Sequence, residues 1–231
     1  MSTNEVERPK PKGLDDIPSL TMTGVAKYMA SDSAEDREKM LYDYKFPDPE
    51  GRARGDYYNW AKGAIRAYHE SGNDRAVLDA KMREMEQKMH EGSPQARAKV
   101  ENNHRVLTSY RSFFGEQAYV PLEHNPVRVL VEGVEIRLRP HLLAMEGKRT
   151  RVIQYAYGRD GASKEELQFS KQLLLFYATK AEMEVKASDC ILLEIATGQT
   201  HIASAVGKKF EAKLKAALRE IRRAWLDFGS V

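Results

Sequence analysis

Cysteine is almost missing from this chain: one residue, Cys190, in 231. That count excludes a disulfide framework, a structural zinc site built from several cysteines and a four-cysteine iron–sulfur cluster. Cys190 lies in an apolar run, Asp189-Cys-Ile-Leu-Leu-Glu194, and reads as a buried, inert thiol rather than a nucleophile. Long apolar runs are lacking too. None approaches the roughly 20 residues of a membrane-spanning helix, and the N-terminus has no signal-peptide core, so a cytoplasmic protein with no membrane partner is expected. There is no Gly-x-x-x-x-Gly-Lys phosphate loop, no Gly-x-Gly-x-x-Gly and no Gly-x-Ser-x-Gly elbow. The six histidines are scattered without His-x-x-x-His spacing, so no metal ligands are assigned and no cofactor is expected.

What is present is a globular composition, 42% hydrophobic and 31% charged, with a net charge of +3. An acidic partner is permitted by that balance rather than implied by it. Residues 1–17 are polar with two prolines and read as a disordered arm. Residues 18–124 read as a helical annex. Ser33 and Asp36 mark the start of a helix over 34–44, and Tyr57, Trp60, Ala61, Ile65 and Tyr68 stripe a helix over 56–70. Leu78, Met82, Met85 and Met89 then recur at steps of three and four, and with the helix over 94–114 they form an antiparallel hairpin.

Residues 125–231 change character. Three β-branched runs, Val127–Val131, Val134–Leu143 and Arg151–Tyr157, precede a capping box at Ser163 and a long helix. A strand over Cys190–Ala196 and another over Thr200–Ala205 follow. Phe210, Leu214, Leu218, Ile221, Trp225 and Phe228 then stripe a basic terminal helix over 207–228. The fold class is α+β: a mixed-sheet core of order β-β-β-α-β, with an N-terminal helical annex and a C-terminal amphipathic helix.

That order, with the phrase Val152-Ile153-Gln154-Tyr155-Ala156, resembles the core of the PD-(D/E)XK nuclease superfamily, in particular its RecB-like branch. The resemblance covers about residues 125–228. Over 19–70 it is weaker and rests on Gly55 and Asn59, in place of a Gly-x-x-x-His pattern. Gln172 with Phe176 and Tyr177 matches the helix that follows the third strand in that branch. The resemblance implies an acid at position 154, a lysine at 156 and an aspartate where the chain reads Arg139-Pro140-His141. The degenerate positions are therefore His141, Gln154 and Ala156. Metal-dependent phosphodiester hydrolysis needs hard carboxylate ligands and a nearby cation, and these three residues offer neither. The resemblance thus implies a nuclease-like fold without a nuclease's metal site, and by analogy a role in phage, mobile-element or defence biology.

The candidate nucleic-acid contacts are Lys148, Arg149 and Arg151 at the turn before the third strand, and Lys171 on the core helix. Lys208, Lys209, Lys213 and Arg222 on the terminal helix complete the set. DNA is the expected partner, with RNA second. Two other readings stay open. One is a protein-interaction module binding through the hairpin at residues 76–114. The other is an active nuclease using Mg or Mn, with a migrated acid such as Glu135 and a migrated lysine such as Lys171; Glu132, Glu146 and Asp160 are the other carboxylates near the cleft.

Overall fold

Strand β6 (Arg149–Ala156) lies in the middle of a five-stranded sheet and is covered on both faces. The computed structural model describes residues 17–47, 57–90, 92–158, 161–205 and 207–228; residues 1–16 of the expected arm, Gly55 and Asp160 lie outside them. The sheet runs in the order β2 (Tyr119–Leu122), β5 (Leu142–Glu146), β6, β7 (Cys190–Glu194) and β8 (Gln199–Ile202). Strands β6 and β7 are parallel, joined by the crossover helix α6 (Lys164–Lys180), and the other neighbours are antiparallel. A second, three-stranded sheet has the order β1 (Ser19–Thr21), β4 (Val134–Leu138), β3 (Val127–Val131). The protein is a mixed α+β fold.

The strand expected over Val134–Leu143 is two strands in two different sheets. Proline has no backbone N–H and cannot continue a ladder, and Pro140 is where the chain leaves one sheet for the other. His141 N then donates to Ile153 O at 3.0 Å, and β5 begins. The succession β-β-β-α-β is present in the larger sheet, but as β2, β5, β6, α6, β7, with the β3–β4 hairpin inserted after β2. Two short strands were not legible in the sequence. Ser19–Thr21 is three residues long, and Tyr119–Leu122 carries Pro121 on an edge.

Strand alternation sorts β6 between two cores. Val152 joins Cys190 against Leu173, Leu174 and Tyr177 of α6 and Val25 of α1 (Met22–Ala30). The same cluster takes the inner face of the small sheet (Val134, Ile136, Leu138) and the stripe of α7 (Lys208–Asp227). Helix α2 (Ala34–Lys45) packs beside α7, where Lys45 Nζ donates to the Trp225 carbonyl. Ile153 and Tyr155 join Ile191 and Leu193 on the opposite face. There they meet α3 (Asn59–Glu70), α4 (Arg75–Lys88) and α5 (Pro94–Phe114). The region read as one annex, residues 18–124, therefore divides: α1 and α2 pack with α6 and α7, while α3 to α5 cover the far face.

Local signals act as read. Ser33 Oγ accepts from Asp36 N at 3.1 Å, and Ser163 Oγ accepts from Glu166 N at 3.1 Å, each satisfying a helix-start donor. Among the described residues no helix is long and apolar enough to cross a membrane.

The stripe of α7 closes the first core, and Leu218 is fully buried within it. Leu218→Ala should lower the unfolding free energy by about 2–5 kcal/mol. Lys215→Ala, on the exposed face of the same helix, should change it by less than about 0.5 kcal/mol in the same urea titration.

Candidate nucleic-acid interface

The three degenerate positions, His141, Gln154 and Ala156, do not share one face. Gln154 and Ala156 point towards α1 and α6, in register with Leu192 and Glu194. Gln154 is buried; its Nε2 donates to Thr23 Oγ1 at 3.2 Å, and its Oε1 has no partner among the described residues. His141 serves the sheet instead. Beyond Leu142 the ladder has no backbone partner for Tyr155 N–H, and His141 Nδ1 accepts that proton at 2.9 Å. The ring stacks on Tyr155 with centroids 5.4 Å apart, on the face opposite Gln154. Burial, then the charges of Lys62 and Arg139, hold the His141 pKa well below its usual value, which keeps the accepting nitrogen unprotonated.

Beside Ala156 stands a carboxylate that the sequence did not single out, Glu194 at the end of β7. It is buried, and three groups donate to it: Thr197 Oγ1 at 2.8 Å, His201 Nε2 at 3.0 Å and Ala162 N at 3.3 Å. Gly161, at φ +81°, lies so close that an added Cβ would sit 2.5 Å from Glu194 Oε1. Burial pushes the carboxyl pKa up, but the donors from His201, Thr197 and Ala162 outweigh it, and the pKa falls below the ordinary 4.5. An apolar run ending in an acid, followed by Thr-x-x-x-His, was the available signal. The other carboxylates considered are engaged elsewhere. Glu135 accepts from Ser19 Oγ at 2.6 Å on the small sheet, Glu132 pairs with Arg219, and Glu146 with Arg151. Among the described residues no group of three or more His, Cys, Asp and Glu stands close enough together to hold a metal ion.

The basic residues fall into three places. At the β5–β6 turn, Lys148 is exposed, while Arg149 and Arg151 converge on Asp189. Arg149 Nε donates to Asp189 Oδ1 at 3.0 Å, and Arg151 Nε to Glu146 Oε2 at 2.7 Å. Two arginines facing two carboxylates tie the hairpin to the Ala187–Asp189 turn and leave little net charge for a phosphate. Arg222 is remote from this turn; its guanidinium covers Gly133, where an added Cβ would meet it at 2.8 Å.

The third place is a groove between the N-terminal halves of α6 and α7. Its volume is about 390 Å³, and Lys164, Lys209 and Lys213 line it with Gln168, Gln172 and Phe169. Glu165 is the acidic residue of the lining. Lys213 Nζ sits 5.8 Å over the Phe169 ring, a cation–π distance. Lys208 is exposed at the same helix start, and Lys171 is half-buried on α6. The approach of two helices distant in sequence thus brings together Lys164 and Lys209, which are 45 positions apart.

The helical hairpin is less available than its stripe suggests. Leu78 and Met85 are buried, with Met82 and Met89 packed against the same core. No family model matches the chain, and no curated protein is similar to it.

Glu194 also sets a pH dependence. A carboxyl whose folded pKa is depressed contributes stability above its unfolded pKa and loses it as pH falls through the folded value. Unfolding free energy should therefore drop as pH is lowered from 6 to about 3, and Glu194→Gln should flatten part of that drop. At neutral pH the same variant should be less stable by about 1–3 kcal/mol. Identical pH profiles for the two proteins would remove Glu194 from the account.

Proposed function

We propose that this protein is a non-catalytic nucleic-acid-binding factor on a nuclease-like scaffold, acting as an accessory or inhibitory component of DNA processing. The observation that carries the reading is the groove between α6 and α7, where three lysines face one glutamate beside an aromatic ring and two amides. Lysines along a groove track a phosphate backbone, and a ring with amides suits unstacked bases. A ring and amides reach base faces and edges only where the bases are unpaired. Single-stranded DNA is therefore the favoured partner.

The non-catalytic half of the reading is supported by the β6 positions. Gln154 is bonded to Thr23, Ala156 has no polar group, and Glu194 beside it already accepts three hydrogen bonds. Three accepted bonds occupy most of the roughly four lone-pair sites of a carboxylate, which leaves Glu194 little capacity to hold an ion without a second acid beside it.

Labelled single- and double-stranded DNA titrated at two salt concentrations tests the reading. Three phosphate contacts on a single strand correspond to a log–log salt slope of about −2, so affinity should fall roughly tenfold or more between 50 and 200 mM salt. Lys209→Glu with Lys213→Glu should weaken binding by at least about tenfold and flatten the slope, with the melting temperature unchanged. Strands incubated with Mg²⁺ or Mn²⁺ should remain intact. Metal-dependent cutting would sink the non-catalytic reading, and salt-insensitive or absent binding would sink the nucleic-acid reading.

A further inference from the structure

The three-stranded sheet has one edge that can accept a further strand. Glu132 at φ +51° and Gly133 at φ +77° make a two-residue turn between β3 and β4. In such a hairpin the flanking pair, Val131 with Val134, exchanges both backbone hydrogen bonds. Alternate pairs follow it, Val129 with Ile136 and Val127 with Leu138. Arg128 and Leu130 therefore turn their N–H and C=O groups away from β4. Glu135, opposite Leu130, shows the same alternation from the other side: its N–H donates to Pro18 O at 2.8 Å, towards β1. Among the described residues no strand lies beyond β3, and no backbone bond from outside the hairpin reaches Arg128 or Leu130.

Open edges are templates for pairing, and proteins blunt them with proline, polar residues or brevity. The other three edges are blunted in these ways. Strand β1 is three residues long, β2 contains Pro121, and β8 is Gln-Thr-His before Ile202. Strand β3 is Val-Arg-Val-Leu-Val. Its Leu130 is 66% exposed on the outer face, and Val127, Val129 and Val131 are only half-buried on the inner face. Arg128 stands directly opposite Arg137, a like-charge pair that is unfavourable in a sheet, and Glu135 is the acid near it, 3.5 Å from Arg128.

We propose that β3 pairs with β3 of a second copy of this chain, antiparallel about a two-fold axis at Val129, joining the two small sheets into one continuous sheet. Symmetry and charge select that register. Arg128 of each copy lies opposite Leu130 of the other, so both pairs exchange the backbone bonds that β4 leaves free. Valines meet valines on the inner face, Val129 with Val129 and Val127 with Val131. On the outer face each Arg128 points across Leu130 of the second copy towards that copy's Glu135, which offsets the Arg128–Arg137 pair. Sliding two residues one way sets Arg128 against Arg128 and brings Pro126, which has no N–H, into the ladder. Sliding the other way brings in Glu132, which belongs to the turn and is paired with Arg219. A strand pair this short buries little surface, so the dimer is weak, with a dissociation constant on the order of 10–100 μM. The inference is independent of nucleic-acid binding in the groove.

Sedimentation of the full chain without nucleic acid, from about 5 μM to about 500 μM, should show the mass rising from one copy towards two. Leu130→Lys and Leu130→Glu remove the same exposed apolar group and leave the core untouched, but in the dimer each meets Arg128 of the second copy. Leu130→Lys should weaken dimerisation roughly tenfold or more, and Leu130→Glu should stay at least roughly several-fold tighter than Leu130→Lys. Val129→Cys should form an intermolecular disulfide on mild oxidation, because the two-fold sets its two copies face to face. Leu130→Cys should not, because its two copies are offset along the strands and their Cα atoms lie beyond about 7 Å. The native Cys190 is fully buried and gives no background. A monomer over the whole range overturns the proposal. So does dimerisation that the two charged Leu130 variants weaken equally, or cross-linking of Leu130→Cys as readily as Val129→Cys.

Discussion

The parallel pairing of β6 with β7 is the constraint on which the rest of the molecule depends. Two parallel neighbours need a crossover, and α6 supplies it, which covers one face of the sheet. The other face then has to be covered by a different part of the chain, and α3 to α5 do so. With both faces buried, alternate side chains of β6 are committed to two unrelated environments. Val152, Gln154 and Ala156 face the crossover helix; Ile153, Tyr155 and Tyr157 face the hairpin.

This division explains why the polar chemistry is found at the C-terminal end of β6 rather than along it. The interior positions are apolar or, like Gln154, bonded locally. At the end of the strand the sheet stops, and side chains from neighbouring elements close over its last residues. Glu194 with His201, Thr197 and Ala162 closes one face. Tyr58 and Arg105 close the other, against Tyr157. Cys190, deep on the crossover face, has its thiol pKa pushed up to about 12 by burial, as an inert packing residue should.

Charge illustrates the same separation of local from global causes. Arg149 and Arg151 stand two positions apart and read as a phosphate-facing pair, yet both turn to Asp189, which lies 38 or more positions along the chain. Burial pushes the Asp189 carboxyl up, but the Lys186 amide and the two arginines pull it down further, so it stays charged. Lys209 and Lys213, in contrast, share a groove with Lys164 because the fold sets the N-terminal halves of α6 and α7 beside each other.

The sequence by itself determined what depends on neighbours along the chain. Ser33 and Ser163 cap helices because a serine oxygen reaches the N–H three residues on. The spacing of Phe210, Leu214, Leu218, Ile221 and Trp225 makes a buried stripe because an α-helix repeats every 3.6 residues. The α+β class and the strand–helix–strand succession follow from such periodicities. Tertiary structure decided what depends on partners distant in sequence. The β-branched text from Val134 to Leu143 reads as one strand, and only the register of Ile153 and Tyr155 shows that Pro140 sends its halves into two sheets. Residues 18–124 read as one helical region, but they divide because β6 has two faces to bury. Glu194 carries only a weak local signal, the Thr197 and His201 that follow it, while Gly161 and Ala162 reach it through the distant pairing of β6 with β7. Local periodicity states which side of an element is apolar, and only the assembled sheet states what that side will meet.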